Sequence, residues 1–446
     1  MRKQTHWLCA ALILSFAALF FAASAMAQEY TSQMEVLQNE ELRQDFIIQG
    51  EYLTEAGGLD VGLHIIADGG GKFRVVGYIG GLPGDGWRRG DPRILGTASL
   101  DGDDITFSIT EQRDASPEIS DLGRGEVKGK VIVPPRPQGG QGVRQQGAAG
   151  ARQGGAGAGQ FRANLVRIEI PAAGQRPALV FEKQNRRSAT LGARAPEGAI
   201  VIFDGTNVDK FQPRPEARIN EVPVPQRQGG GQQGQGQGAA QRGNFNTLWA
   251  EAATTAFEKR PYKLHIEFML SYMPQARGQA RSNSGVYIDE RYELQVLDSF
   301  GLEGRDNECG GFYQFAGPAV NMCFPPLTWQ TYEIDFTPAR WDGDRKIANA
   351  RVSAIHNGVQ IHSNLELTNH TPGRRDEGPA PLGIYLQGHG NRVQYRNIWI
   401  QYKDWEPLTQ AVTLPAEIAP EQAAAVAEVP LQRPQPLFPR VRALFR

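Results

Sequence analysis

Cysteine is scarce in this chain, with three in 446 residues, at positions 9, 309 and 323. Cys309 and Cys323 have no neighbouring Cys or His pair at metal-ligand spacing, which is poor evidence for a zinc site. Neither sign of charge dominates, with 47 Lys and Arg against 48 Asp and Glu. Charge therefore offers no footing for nucleic acid or for a polybasic membrane role. Beyond residue 23 no stretch approaches the ~20 apolar residues that a bilayer span requires. Helical periodicity is nearly missing as well. In its place stand 52 glycines and 29 prolines, which favour short strands and turns.

The one long apolar run is at the start. Arg2 and Lys3 precede residues 7–23, and Ala25-Met26-Ala27 matches a small-x-small cleavage site. The expectation is a signal peptide over 1–27 and an exported, periplasmic or extracellular chain beginning near Gln28. A retained anchor is the competing reading. Cys9 leaves with the leader. In an oxidising compartment Cys309 and Cys323 are expected to form a disulfide, closing a loop worth roughly 3 kcal/mol in the chain-entropy model. Two buried thiols are the alternative.

Residues 28–195 read as a smaller β-rich accessory domain. Short strand-like runs at 46–52, 61–66, 73–79, 105–109, 125–133, 165–170 and 178–182 are broken by glycine clusters. Residues 80–87 form a turn-rich loop without the Lys or the strand–loop–helix setting of a phosphate loop. Residues 138–160 are almost wholly Gly, Gln, Ala and Arg, which predicts a disordered insertion. A second such tract, 226–243, interrupts the next unit. The tail from 406 to 446 is Ala/Pro-rich and carries no fold signal.

Residues 196–405 hold eight or so strand candidates: 262–270, 284–288, 292–297, 331–336, 350–356, 359–365, 382–387 and 393–402. Asn357-Gly358 between two of them is a strong hairpin signal. The fold class is all-β, a β-sandwich of jelly-roll type preceded by the smaller β-rich domain. Strand residues two apart share a face. Glu293 and Gln295 therefore project opposite to Leu294 and Val296. His265 and Glu267 oppose Leu264, Ile266 and Phe268, and Tyr385, Gln387 and His389 continue the division on a late strand. An exposed sheet face carries polar side chains in most proteins. The functional alternative is a wet, concave sheet that binds a polar ligand.

Ordered blocks point to that alternative. Ile202-Phe203-Asp204-Gly205, Asn283-Ser284-Gly285-Val286-Tyr287 and residues 292–298 come first, then residues 325–332. Residues 383–390 follow, leading to Arg396-Asn397-Ile398-Trp399-Ile400. Together they resemble the 3-keto-disaccharide hydrolase family over nearly all of 199–403. The resemblance implies a concanavalin-like sandwich and cleavage of a glycosidic bond in a sugar already oxidised at carbon 3. A ketone there acidifies the hydrogen on carbon 2, so a base can remove it and expel the group on carbon 1. Water then adds to the enone. Such chemistry needs a base, an acid for the leaving oxygen and a partner for enolate charge. The candidates are Glu293 and His389 for proton transfer, with Glu267 in support. Gln295, Gln387, Arg281, Asn283, Tyr287, Tyr385 and Arg396 are the candidates for binding substrate. Gly388 stands where the family pattern leads one to expect an acid before the His, so the imidazole must be oriented from elsewhere. No cofactor is assigned, and a divalent metal held by His389 and a carboxylate is a second route to enolate stabilisation. Trp329 and Trp399 suit either sugar stacking or a sandwich core. Asp342 and Asp344 read as a turn. The expected partner is a carbohydrate, an oxidised disaccharide or glucoside. The rival reading is a non-catalytic carbohydrate-binding module of the cell envelope.

Overall fold

The computed structural model describes residues 27–113, 125–134, 166–173, 177–205, 208–212, 219–220, 247–249 and 252–404. The leader (apart from residue 27), both Gln/Gly-rich insertions and the tail lie outside the described residues.

The described chain opens with two helices, α1 (Gln33–Gln38) and α2 (Glu40–Ile48). Ser32 Oγ accepts from the Glu35 N–H at 3.2 Å, and Asn39 Oδ1 accepts from that of Glu41 at 3.0 Å. These are N-caps, and acidic residues follow them in the first turns. The strand expected from residue 46 is thus corrected. Residues 46–48 complete a helix whose Leu42 and Ile48 are buried, and the first strand starts at Gly50.

Eight strands follow: β1 (Gly50–Ala56), β2 (Leu59–Gly69), β3 (Lys72–Ile79), β4 (Arg93–Asp101), β5 (Asp104–Arg113), β6 (Glu126–Ile132), β7 (Arg167–Ile170) and β8 (Leu179–Gln184). Each pairs antiparallel with the next, and β1 pairs with β8 through Glu51 opposite Gln184, so the sheet closes into an up-and-down barrel. Closure leaves no free edge. Phe73 and Val75 point into it, whereas Val76 and Tyr78 on the same strand join the core of the second module.

That module is a jelly-roll-type sandwich of two antiparallel sheets. Its strands are β9 (Ile200–Phe203), β10 (Phe211–Gln212), β11 (Ile219–Asn220), β12 (Thr247–Trp249), β13 (Ala252–Thr254), β14 (Tyr262–Met269) and β15 (Asn283–Ile288). The series continues with β16 (Tyr292–Leu297), β17 (Trp329–Thr337), β18 (Ala350–His356), β19 (Val359–Leu367), β20 (Tyr385–Leu386) and β21 (Gln394–Tyr402). The larger sheet runs β11-β12-β21-β14-β17-β18-β19, with β9 also on β21; the smaller runs β10-β13-β20-β15-β16. Asn357 and Gly358 form the β18–β19 turn with φ of 51° and 84°, the doubly left-handed geometry their types favour. Leu264, Ile266 and Phe268 of one sheet and Val286, Leu294 and Val296 of the other are fully buried between them.

The two modules are packed together. His64 of the barrel stacks on Phe300 with ring centroids 4.5 Å apart. Arg89 donates to the carbonyls of Ala319, Glu303, Gly304 and Pro318 at 2.8 to 3.3 Å. One barrel side chain thereby fixes both ends of the loop that runs along β16.

Candidate functional site

Pairing between β15 and β16 decides which side chains meet. Tyr287 lies opposite Glu293, Gly285 opposite Gln295 and Asn283 opposite Leu297, while Tyr385 of β20 lies opposite Tyr287. All of these sit on the face of the smaller sheet turned away from the core. Together with Gln387 and His389 beyond β20, they build a cleft of roughly 130 Å³. It is lined by Gln279, Asn283, Tyr287, Glu293, Gln295, Tyr313, Pro372, Gly373, Gln387 and His389.

Glu293 is at the centre. It is buried, and loss of water pushes its carboxyl from 4.5 up to about 7; the hydrogen bond from Tyr287 pulls the other way. Tyr287 donates its hydroxyl proton to Glu293 Oε2 at 2.9 Å and lies 3.1 Å from the Pro372 carbonyl. Burial and the neighbouring carboxylate both raise the Tyr287 phenol, which stays a proton donor. Gly285 makes room for this arrangement, because a Cβ there would overlap Glu293 Oε1. The backbone of β16 is held on its outer edge too. Gln295 N–H donates to the Gly311 carbonyl at 2.8 Å, and Tyr313 N–H to that of Glu293 at 3.3 Å. Thr371 Oγ1 accepts from the Glu293 N–H at 2.8 Å.

Amides set the other wall. Gln295 Nε2 donates to Asn283 Oδ1 at 2.7 Å, and Asn283 Nδ2 donates to the Gln279 carbonyl at 2.9 Å. The same Nδ2 faces His389 Nδ1 at 3.4 Å. Both protons of that Nδ2 go to Gln279 oxygens, the second to Oε1 at 3.0 Å, so the imidazole meets the amide as a neighbouring wall. Asn283 therefore flanks the imidazole preceded by Gly388. Gln387 Nε2 approaches Tyr287 Oη at 3.4 Å. A carboxyl able to change charge near neutral pH thus shares a small polar cleft with an exposed imidazole and four amides.

Glu267 does not join this cleft. It lies on β14 of the larger sheet, whose outer face points the opposite way, and it is only 1% exposed. Segment 188–193 covers it. Gly192 N–H, Asn397 Nδ2 and Arg396 Nε donate to its oxygens at 2.5, 2.8 and 2.6 Å. Burial alone would raise its pKa, but the bonds from His265 and Asn397, the charge of Arg396 and the Gly192 amide bring it down to about 2. Such a carboxylate is a structural anion. Arg396, its partner, also covers the Trp329 ring at 3.8 Å, far from sugar-binding duty at Glu293. Trp399 stacks on His265 with centroids 5.0 Å apart. Arg281 is buried against Asp298 at 2.6 Å and reaches towards the barrel's Ala67 carbonyl, so it braces the two modules. Tyr385 packs beside the cleft, 5.8 Å from the Tyr287 ring and under the Arg374 guanidinium. The expected disulfide is corrected: Cys309 and Cys323 are both free, buried thiols, and Cys309 Sγ contacts Tyr332 Oη at 3.2 Å.

Gln279, Tyr313, Pro372 and Gly373 were not legible as cleft residues. All four lie outside the strands, in segments that carry no alternation. Gly373, with φ of 103°, brings its backbone against Tyr287 Oη, and a Cβ there would reach 2.6 Å from that oxygen. Among the described residues no group of three or more His, Cys, Asp or Glu side chains is placed to hold a metal. The described lining of the cleft offers one carboxyl and one imidazole, which is short of a resident metal's ligand set.

A smaller sheet that carries a near-neutral carboxyl among amides and phenols in a cleft is a candidate functional site. Comparison with known families gives one match: residues 198–401 match the model of the 3-keto-alpha-glucoside-1,2-lyase-like domain. Two crystal structures of proteins from Parabacteroides distasonis ATCC 8503, each provisionally described as a glycosyl hydrolase, are similar to the chain. One, at 2.13 Å, is 24% identical and covers 47% of this chain and 86% of its own, with a TM-score of 0.36. The other, at 1.70 Å, is 14% identical and covers 49% and 94%, with a TM-score of 0.25. No protein of curated function matches the chain. The sandwich thus resembles a carbohydrate-acting domain over residues 198–401.

Proposed function

We propose that the cleft cleaves 3-keto-glucosides or 3-keto-disaccharides by elimination and hydration, with Glu293 as the base. The observation that carries this reading is a buried carboxyl raised to about 7, held by Tyr287 in a polar cleft of a lyase-like domain. A base works best when its pKa lies near the operating pH. The ionised Glu293 takes the carbon-2 hydrogen as a proton, and the electron pair of that C–H bond becomes the enolate of the 3-ketone. The enolate then expels the carbon-1 oxygen, which leaves with a proton. Water adds across the resulting carbon 1–carbon 2 double bond, placing hydroxyl on carbon 1 and hydrogen on carbon 2. The net change is hydrolysis.

In an α-glucoside the carbon-2 hydrogen and the carbon-1 oxygen are both axial and on opposite faces of the ring. Base and acid then come from two sides, which suits Glu293 on the floor and the imidazole of His389 at the rim. Gln387, which lines the cleft with its Oε1 unpartnered, is the amide with capacity left for a sugar hydroxyl, because the amide protons of Gln295 and Asn283 are donated within the protein. The leader-like residues 1–27 support action outside the cytoplasm.

The test is to follow free-sugar release from a 3-keto-glucoside and from its unoxidised parent. Turnover is expected with the keto substrate alone, and Glu293→Gln and His389→Ala should lose it while remaining folded. Binding without turnover by the unaltered protein would replace this reading with that of a carbohydrate-binding module.

A further inference from the structure

Among the described residues, the side chains of the barrel leave a space open. By alternation, Phe73, Val75, Gly77 and Ile79 of β3 point inward, and so do Ile94, Gly96 and Ala98 of β4. Gly77 pairs with Leu63 on one side and Ile94 on the other, and Gly96 pairs with Val75. Two adjacent inward positions therefore carry no side chain. An eight-stranded barrel is just wide enough for its side chains to fill it, or to hold one small ligand. Here the missing side chains leave a cavity of roughly 130 Å³.

Its described walls are entirely apolar, with Leu63, Val75, Phe107, Leu179 and Phe181 among them. The cavity sits at one end of the barrel, where Ala56 closes β1, Leu179 opens β8 and Val127 is second in β6. Ile94, Ile109 and Val127 line it and are nevertheless half-buried. The other end is stopped by α2, with Lys183 Nζ donating to the Ile47 carbonyl at 2.6 Å. Chemistry narrows the occupant. A sugar, nucleotide or ion would lose its hydration with no polar group to replace it. A β-strand from a partner has no free edge to join, because the barrel is closed. Water gains too few partners in an apolar space of this size, whereas a cavity of about 150 Å³ lined by such residues takes benzene or xenon.

We propose that the barrel is a binding site for one compact, uncharged, hydrocarbon-like ring, independent of the cleft in the sandwich. The test uses the full mature chain and benzene as the probe, read by calorimetry and by thermal shift. One-to-one binding is expected in the unaltered protein. Gly77→Leu should abolish it, since φ there is ordinary and a Cβ would meet Ile94 Cβ at 3.4 Å, so the added side chain occupies the space. Should Gly77→Leu fail to fold by circular dichroism, Ile94→Trp at the half-exposed rim closes the entrance and must weaken benzene at least tenfold. No binding by the unaltered protein, or binding that a folded cavity-filling variant leaves unchanged, overturns the proposal.

Discussion

Replacing Glu293 by Gln should cripple turnover and at the same time stabilise the protein, but only at the upper end of the pH range. Folding raises this carboxyl from its ordinary 4.5 to about 7 by burial. One pKa unit corresponds to about 1.4 kcal/mol, so the shift amounts to roughly 3 kcal/mol. Because the folded value is raised, the group's contribution to stability is fully present below pH 4.5. It is lost as pH rises through 7, where folding must bury a carboxylate. A Gln side chain keeps the acceptor for Tyr287 and has no charge to bury. The stability of Glu293→Gln relative to the unaltered protein should therefore climb by roughly 3 kcal/mol between pH 4 and pH 8. Every other titrating group is common to both proteins and cancels. Urea unfolding at the two pH values reads the difference directly, and turnover should fall by about 10²- to 10⁴-fold, the usual worth of a general base. A stability difference that is the same at pH 4 and pH 8 would refute a buried, near-neutral Glu293. The hydroxyl of Tyr287 lowers that pKa, so Tyr287→Phe should move the rising limb of the pH–rate profile upward by about one unit, given ~1.5 kcal/mol for a charge-assisted hydrogen bond.

Gly285→Ala places a Cβ against Glu293 Oε1; kcat should drop at least tenfold with the fold retained, and an unimpaired variant would show that the carboxylate is not held as described. Glu267→Gln should leave turnover per folded molecule unchanged but cost roughly 3 kcal/mol or more at neutral pH, because it removes a carboxylate depressed to about 2. That contribution is present above pH 4.5 and is lost as pH falls towards 2, which denaturation curves at pH 7 and pH 3 would show. Loss of activity in a stable Glu267→Gln protein would bring that residue back into the chemistry. Unfolding a chain that starts at Gln28 without reductant should expose two titratable thiols, Cys309 and Cys323, with melting unaffected by reductant; none would mean a disulfide.

Alternation along a strand reveals which side chains share a face, and that much was legible. Leu264, Ile266 and Phe268 are core residues, and Glu293 and Gln295 point off it together. Alternation says nothing about which sheet a strand joins. Glu267 and Glu293 have the same relation to the core, yet β14 and β16 lie in different sheets whose outer faces look in opposite directions. What covers a face is also hidden, since the strap at 188–193 that buries Glu267 is joined to it only in three dimensions. Barrel closure depends on β1 meeting β8, a pairing of residues more than a hundred positions apart that no local pattern announces. Helix α2 was masked by β-branched Ile47 and Ile48, although its Asn39 cap and following acids were present in the sequence.

The central claim, that Glu293 takes a proton from carbon 2, is tested most directly by turnover of a 3-keto-α-glucoside in deuterium oxide. Nuclear magnetic resonance of the released keto sugar reads carbon 2. The account predicts deuterium there at every turnover, at a rate that falls with Glu293→Gln. Product that keeps its original hydrogen on carbon 2 would contradict it and point to direct displacement at carbon 1.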